Sequence, residues 1–125
     1  MSNLIIASLN PSTLAPIERR IEVDKHLQGI NADICFIQES HLHQKHSVAL
    51  KKYNCIRDDS GVGTAILIKT RFKFEQLFIP AISHINLTAI KIKFRNDKEV
   101  LAISIYIPCS SPANILKILN TYFTV

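Results

Sequence analysis

The sequence is short of the residues that mark several protein classes. Three Gly and five Pro among 125 residues are too few for a collagen-like or linker-like chain. Cys35, Cys55 and Cys109 are odd in number and include no close pair. They form neither a disulfide framework nor a zinc-binding pattern. No apolar run approaches the roughly 20 residues that span a bilayer, so no membrane partner is expected. The Met1-Ser2-Asn3 start lacks a basic segment, and the run from Leu4 to Leu9 is too short for the apolar part of a signal peptide. The expected location is intracellular. Repeats and low-complexity stretches are absent as well.

What is present is apolar and basic. Hydrophobic residues make up 47% of the chain, too many for a disordered tail. A length of 125 residues fits one domain with a core of its own. The net charge is +5. Residues 1–40 carry −2, so residues 41–125 carry +7. A basic balance suits a phosphate backbone, and it equally suits an ordinary face of solvated lysines.

The pattern along the chain predicts an α/β protein. Leu4 to Leu9 reads as a buried strand stopped by Asn10-Pro11. Ser12 or Thr13 can cap a helix with Pro16 in its first turn. Ile17, Ile21, Val23, Leu27 and Ile30 supply its apolar face, and Gly29 or Asn31 ends it. Residues 33–38 form a second strand, and the two strands should run parallel across the helix. Residues 41–52 form a loop or short helix. Strands over residues 53–57 and 64–69 flank a turn and make a hairpin. Further strands are expected over residues 72–79, 88–94 and 100–107. In the second of these Ile90, Ile92 and Phe94 face the core, and Lys91, Lys93 and Arg95 face water. The third is apolar on both sides and should sit centrally. A last helix begins near Pro112, with Ile115, Leu116, Ile118, Leu119 and Phe123 as its apolar face.

Three polar sites stand at the ends of buried strands: Asn10, Gln38-Glu39 and Tyr106. Strand ends hold side chains rigidly at the rim of a core. A carboxylate there can hold Mg²⁺, an amide can orient a phosphate, and a phenol can donate to a phosphoryl oxygen. Each also has a plainer reading. Asn10 before Pro11 can be a turn residue, Glu39 a solvated acid, and Tyr106 an amphipathic core residue. His41, His43 and His46 cluster in the loop, as an adventitious metal site or as solvated histidines. Lys69, Arg71, Lys73, Lys91, Lys93, Arg95 and Lys98 make either a phosphate-tracking face or the wet side of a sheet.

Five pieces in one order resemble the endonuclease/exonuclease/phosphatase family. They are Leu9-Asn10, the stretch Asp33-Ile34-Cys35-Phe36-Ile37-Gln38-Glu39-Ser40, Tyr53 with Arg57-Asp58, the Gly61-Val62-Gly63-Thr64-Ala65-Ile66-Leu67-Ile68 strand, and Ile105-Tyr106-Ile107-Pro108. The run is most similar to the apurinic-type endonuclease domains of non-LTR (LINE-type) retrotransposons. The resemblance implies the N-terminal half of a four-layer α/β sandwich, a mixed sheet with packed helices, spanning residues 1–125 as a partial domain. It implies Mg²⁺-dependent phosphodiester hydrolysis in DNA. Glu39 would be the metal carboxylate, with Asn10 and Tyr106 as catalytic groups at the phosphate. Metal would polarise the phosphate and stabilise the leaving oxygen. Localisation to the nucleus follows from the same analogy.

The departures set further expectations. Ser40 replaces the usual Thr, Cys109 stands where a second Pro often is, and Ser12-Thr13 replace Asn-Gly. The family's Gly-Asp-(Phe/Leu)-Asn and Ser-Asp-His motifs do not occur in these 125 residues. Such sites act as units, so an inactive, truncated chain is expected. The alternatives are a non-catalytic, basic nucleic-acid-binding module and a non-functional retroelement fragment.

Overall fold

A computed structural model describes residues 3–80 and 85–108. The order is β1 (Ile6–Leu9), α1 (Ile17–Ile30), β2 (Ile34–Gln38), β3 (Tyr53–Asp58), β4 (Thr64–Lys69), β5 (Lys73–Leu77), β6 (Asn86–Lys93) and β7 (Glu99–Tyr106). The expected helix beyond Pro112 lies outside the described residues.

Among the described residues the strands form two sheets. The first has the order β1-β2-β4-β3 and the second β5-β6-β7. Among the described strands only β1 and β2 run parallel, joined across α1 as expected, and the other pairings are antiparallel. The first sheet is therefore mixed and the second is not. Among the described residues the layers number three: helix, mixed sheet, antiparallel sheet.

Alternation along the strands builds a core on each face of the first sheet. Cys35, Ile37, Ala65 and Leu67 meet Val23 and Leu27 of α1 on one side. Ile34, Ile56, Ile66 and Ile68 meet Ile90, Ile92 and Ala102 of the second sheet on the other. β2 and β4 are buried on both faces, which is why they read as unbroken apolar runs.

Helix α1 departs from expectation at its start and on its face. Pro16 is the N-cap, and Ser12 and Thr13 lie outside the helix. The Pro16 carbonyl accepts from the Arg19 and Arg20 N–H groups, and the Arg20 guanidinium covers the Leu14 and Ala15 carbonyls. Those bonds turn the Arg20–Val23–Leu27 stripe toward the sheet. Ile17 and Ile21 sit roughly a quarter turn away and are exposed, as is Ile30 in the last turn. Asn31 ends the helix in the left-handed region (φ 55°), where its N–H bonds to the Gln28 carbonyl.

Among the described strands β7 lies at an edge rather than centrally. Of those strands it pairs with β6 alone, and Val100 and Leu101 are exposed. An apolar strand with one unpaired edge has the same sequence pattern as a central one.

Cys35 and Cys55 are free. Cys35 and Cys55 both lie opposite Leu67, on either side of β4. Two strand spacings, about 10 Å, separate them, too far for a disulfide. Burial pushes their thiols up to about 12 and about 11. Cys109 lies outside the described residues.

Candidate active-site rim

Strand register brings the candidate residues to one end of the sandwich. Leu9 lies opposite Ile37 in a parallel pair, so Asn10 and Gln38-Glu39 leave the sheet together. Gln38 and Asp58 both oppose Thr64. In the second sheet Tyr106 opposes Asn86.

Polar bonds across the seam align the two rims. Ser104 Oγ donates to the Ile37 carbonyl at 2.7 Å. The Thr64 and Thr88 hydroxyls meet at 2.9 Å, both buried. Asp58 Oδ2 accepts from the Leu87 N–H at 3.3 Å, and its Oδ1 accepts from the Ser60 N–H and hydroxyl. Asn86 Nδ2 donates to the Ser60 carbonyl. Tyr106 lies two residues beyond Ser104 and so shares its face, toward the first sheet. Asn10, Glu39 and Tyr106 thus occupy the same rim, on three different strand ends.

Glu39 is half-buried, with a left-handed backbone (φ 58°). For a non-glycine residue that conformation costs about 1 kcal/mol, so its surroundings must hold it. The Ser40 N–H bonds to the Gly63 carbonyl at 3.2 Å and the His41 N–H to the Val62 carbonyl at 2.8 Å. The Leu14 N–H bonds to the Ser40 carbonyl at 2.8 Å. The Ser40 side chain is fully buried against Gly63, and among the described residues its hydroxyl finds no hydrogen-bond partner. Gly63 has φ 85°, which suits glycine alone.

Asn10 is exposed, and its Oδ1 accepts from the Ser12 N–H at 3.0 Å. It makes the Asx turn of its plainer reading while standing beside Glu39's strand. Tyr106 is half-buried.

Several of the basic residues are engaged in ion pairs. Asp33 is buried, with Arg71 at 2.8 Å and Lys69 at 3.3 Å. Burial opposes its charge. The Ile5 N–H and the two cations outweigh burial and hold its carboxyl below the usual range. Lys91 pairs with Glu99 and Lys93 with Glu75, each at 3.5 Å. Four of the seven cations named for a phosphate-tracking face are thus ion-paired, with three acids between them.

Arg57 grips both oxygens of Asp59 and donates to the His43 and His46 carbonyls at 2.7 Å. It fastens the histidine loop to β3. The His43 N–H donates to His46 Nδ1 at 2.9 Å. Loss of hydration, then the neighbouring His43, Arg20, Lys45 and Arg57 charges, hold His46 below the usual histidine range. Among the described residues no three His, Cys, Asp or Glu side chains gather as a metal site.

Glu39 accordingly offers a single carboxylate. That donor suits Mg²⁺, which keeps several waters and takes one or two carboxylates plus phosphate oxygens. It does not make a self-sufficient metal cage. A cleft of about 310 Å³ opens elsewhere on the rim, beside Asp58, Ser60, Phe78 and Leu87.

Sequence reasoning missed the seam of Thr64, Thr88 and Ser104. Its signal is present: three small hydroxyl residues near the rim ends of their strands, on the face that meets the opposite sheet.

No family model matches the sequence, and no curated protein matches it. Among solved structures, the fold is similar to humanized D. rerio TDP2 carrying 14 mutations, with a TM-score of 0.61 and 19% identity. The match covers 94% of this chain and 58% of that one. The chain therefore has the fold of part of TDP2 and spans little more than half of its length.

Proposed function

We propose that this chain is part of a phosphodiesterase of the exonuclease/endonuclease/phosphatase superfamily, acting on DNA. TDP2 is a 5'-tyrosyl DNA phosphodiesterase of that superfamily. The observation that carries the reading is the convergence of Asn10, Glu39 and Tyr106 on one rim of a TDP2-like fold. Glu39 would hold Mg²⁺, and Tyr106 and Asn10 would position a phosphate beside it. The metal, when bound, supplies charge stabilisation to the phosphate and the leaving oxygen.

Within this reading the finer assignment is to the endonuclease of a LINE-type retroelement, and the ordered motifs from Leu9 to Pro108 support it. The residues that would activate water, the family's Asp-Asn and His-Asp groups, have no match in these 125 residues. The chain by itself should therefore bind without cleaving. The reading as a basic module gains little, because Lys69, Arg71, Lys91 and Lys93 are ion-paired.

Fluorescence anisotropy with a short DNA duplex tests this. Mg²⁺ should tighten binding, and Glu39→Gln should remove that increment without changing the melting temperature. Equal, Mg²⁺-independent affinity in both proteins would defeat the reading. Plasmid nicking should be undetectable. Nicking that vanishes in Glu39→Gln would mean that the 125 residues hold a complete site.

A further inference from the structure

We infer that the cleft beside Asp58, Ser60 and Phe78 is a subsite for one unstacked nucleobase, adenine before other bases. The inference deepens the DNA reading above and rests on it. It concerns a base near the phosphate, not the phosphate or the metal.

The fold explains why the cleft is open. β3 packs over β6, and β5 pairs along the side of β6 away from β7. The first sheet ends at β3, so among the described residues no strand lies above β5 and the residues that leave it. β3 and its turn supply Arg57, Asp58 and Ser60, β5 and the residues after it supply Gln76 and Phe78, and β6 supplies Leu87. The volume is about 310 Å³. That is the low end for small-molecule sites, and it suits one ring system better than a length of peptide.

The lining favours a flat, neutral ligand. Phe78 is 87% exposed, more than any other large hydrophobic side chain among the described residues. A bare aromatic ring beside a polar cleft is a stacking platform for a base, whatever the sequence around it. Arg57 and Asp58 are the charged residues of the lining, and both are engaged. Arg57 is held by Asp59 and by the His43 and His46 carbonyls. Asp58 accepts from the Ser60 N–H and hydroxyl and from the Leu87 N–H. An anionic phosphate therefore finds no uncommitted cation here, and a neutral base needs none. The Gln76 side chain is exposed. Its amide carries a donor and an acceptor in one plane, the complement of adenine's N6 and N7 edge.

The position fits a nucleic-acid strand on the rim. Tyr106 opposes Asn86 across one strand pair, and Leu77 opposes Ala89 across the next. β5 thus lies two strand spacings, about 10 Å, from β7. A strand crossing the rim at Tyr106 brings the base of a nearby nucleotide to Phe78. That base must be free of a duplex stack, so the substrate presents a single-stranded stretch there.

The test is fluorescence anisotropy of the full 125-residue chain in EDTA. The probes are single-stranded oligo-dA, oligo-dT and an abasic deoxyribose-phosphate strand of equal length. Oligo-dA should bind about fivefold or more tighter than the abasic strand, with oligo-dT between them. Phe78→Ala should remove that advantage, and Phe78→Trp should retain it. Gln76→Ala should bring oligo-dA down to oligo-dT. Both side chains are exposed, so melting temperatures should not move. Equal affinity for abasic and base-bearing strands would overturn the site, as would an oligo-dA advantage that survives Phe78→Ala. Oligo-dT binding as tightly as oligo-dA would overturn the choice of adenine. EDTA removes any contribution of metal at Glu39, so this comparison and the Mg²⁺ test can fail separately. Absence of binding by every strand would overturn the DNA reading along with this one.

Discussion

The Ser104 hydroxyl in β7 donates to the Ile37 carbonyl in β2 across 2.7 Å, deep in the seam between the two sheets. Ile37 immediately precedes Gln38-Glu39, and Ser104 lies two residues before Tyr106. One bond therefore sets the spacing between two candidate site residues. Ser104→Ala should destabilise the fold by about 1–2 kcal/mol, because a buried carbonyl loses a partner. Denaturant melts measure this. A change near zero would mean that the seam is held by packing alone.

The three glycines give a graded prediction. A methyl group on Gly63 would land on the Ser40 hydroxyl and would force an L-residue to φ 85°. Gly63→Ala should cost more than about 2 kcal/mol. Gly61→Ala should be milder, since its nearest neighbour, Asn86 Oδ1, lies at 3.4 Å. Gly29 is in a helix with open space around it, so Gly29→Ala should gain about 0.5–1 kcal/mol. Any other ranking of the three melting temperatures contradicts the geometry.

Asp33 sets an acid limit. Its folded pKa is lowered, so its contribution is present in full above the unfolded carboxylate value, near pH 4. That contribution is lost as pH falls through the folded value. Asp33→Asn should cost about 2 kcal/mol at neutral pH. Melting curves of the two proteins should converge in acid. A constant gap from pH 7 to pH 2 would show that Asp33 is not the titrating group.

Cys35 and Cys55 should resist alkylation in the folded protein. With thiols pushed up to about 12 and about 11, the thiolate fraction at pH 8 is about one in a thousand or less. In a Cys109→Ser background, labelling should require denaturant. Rapid labelling without it would mean that the first sheet opens.

Helix α1 separates two kinds of isoleucine and leucine. Leu27→Ala should cost about 2–5 kcal/mol, since Leu27 is completely buried. Ile21→Lys should change stability by about 0.5 kcal/mol or less. A severe loss at Ile21 would restore the face predicted from sequence spacing.

That contrast shows how far the sequence is legible. All seven strands and α1 follow from apolar period, Pro and Gly punctuation, and turn chemistry, because those signals are local. The choice between two apolar stripes on α1 is not local. It depends on Arg20 reaching back to the Leu14 and Ala15 carbonyls. The division into two sheets is likewise hidden, since strand order arises from pairing between distant segments. Asn10, Glu39 and Tyr106 could be named from strand ends. Their shared rim needed the register and the Ser104, Thr64 and Thr88 bonds, which no spacing rule encodes.

The left-handed backbone at Glu39 has an evolutionary corollary. Its φ of 58° is one that Gly or Asn adopts more readily than Glu. Main-chain bonds from its neighbours, rather than its carboxylate, fix the loop. Replacement by Gly or Asn would therefore relax the backbone while deleting the one acid proposed to hold metal. At this position backbone stability and the proposed metal role favour different residues. Were the proposed metal role of Glu39 dispensable, a change a single codon wide would lead downhill to a sturdier protein without that carboxylate.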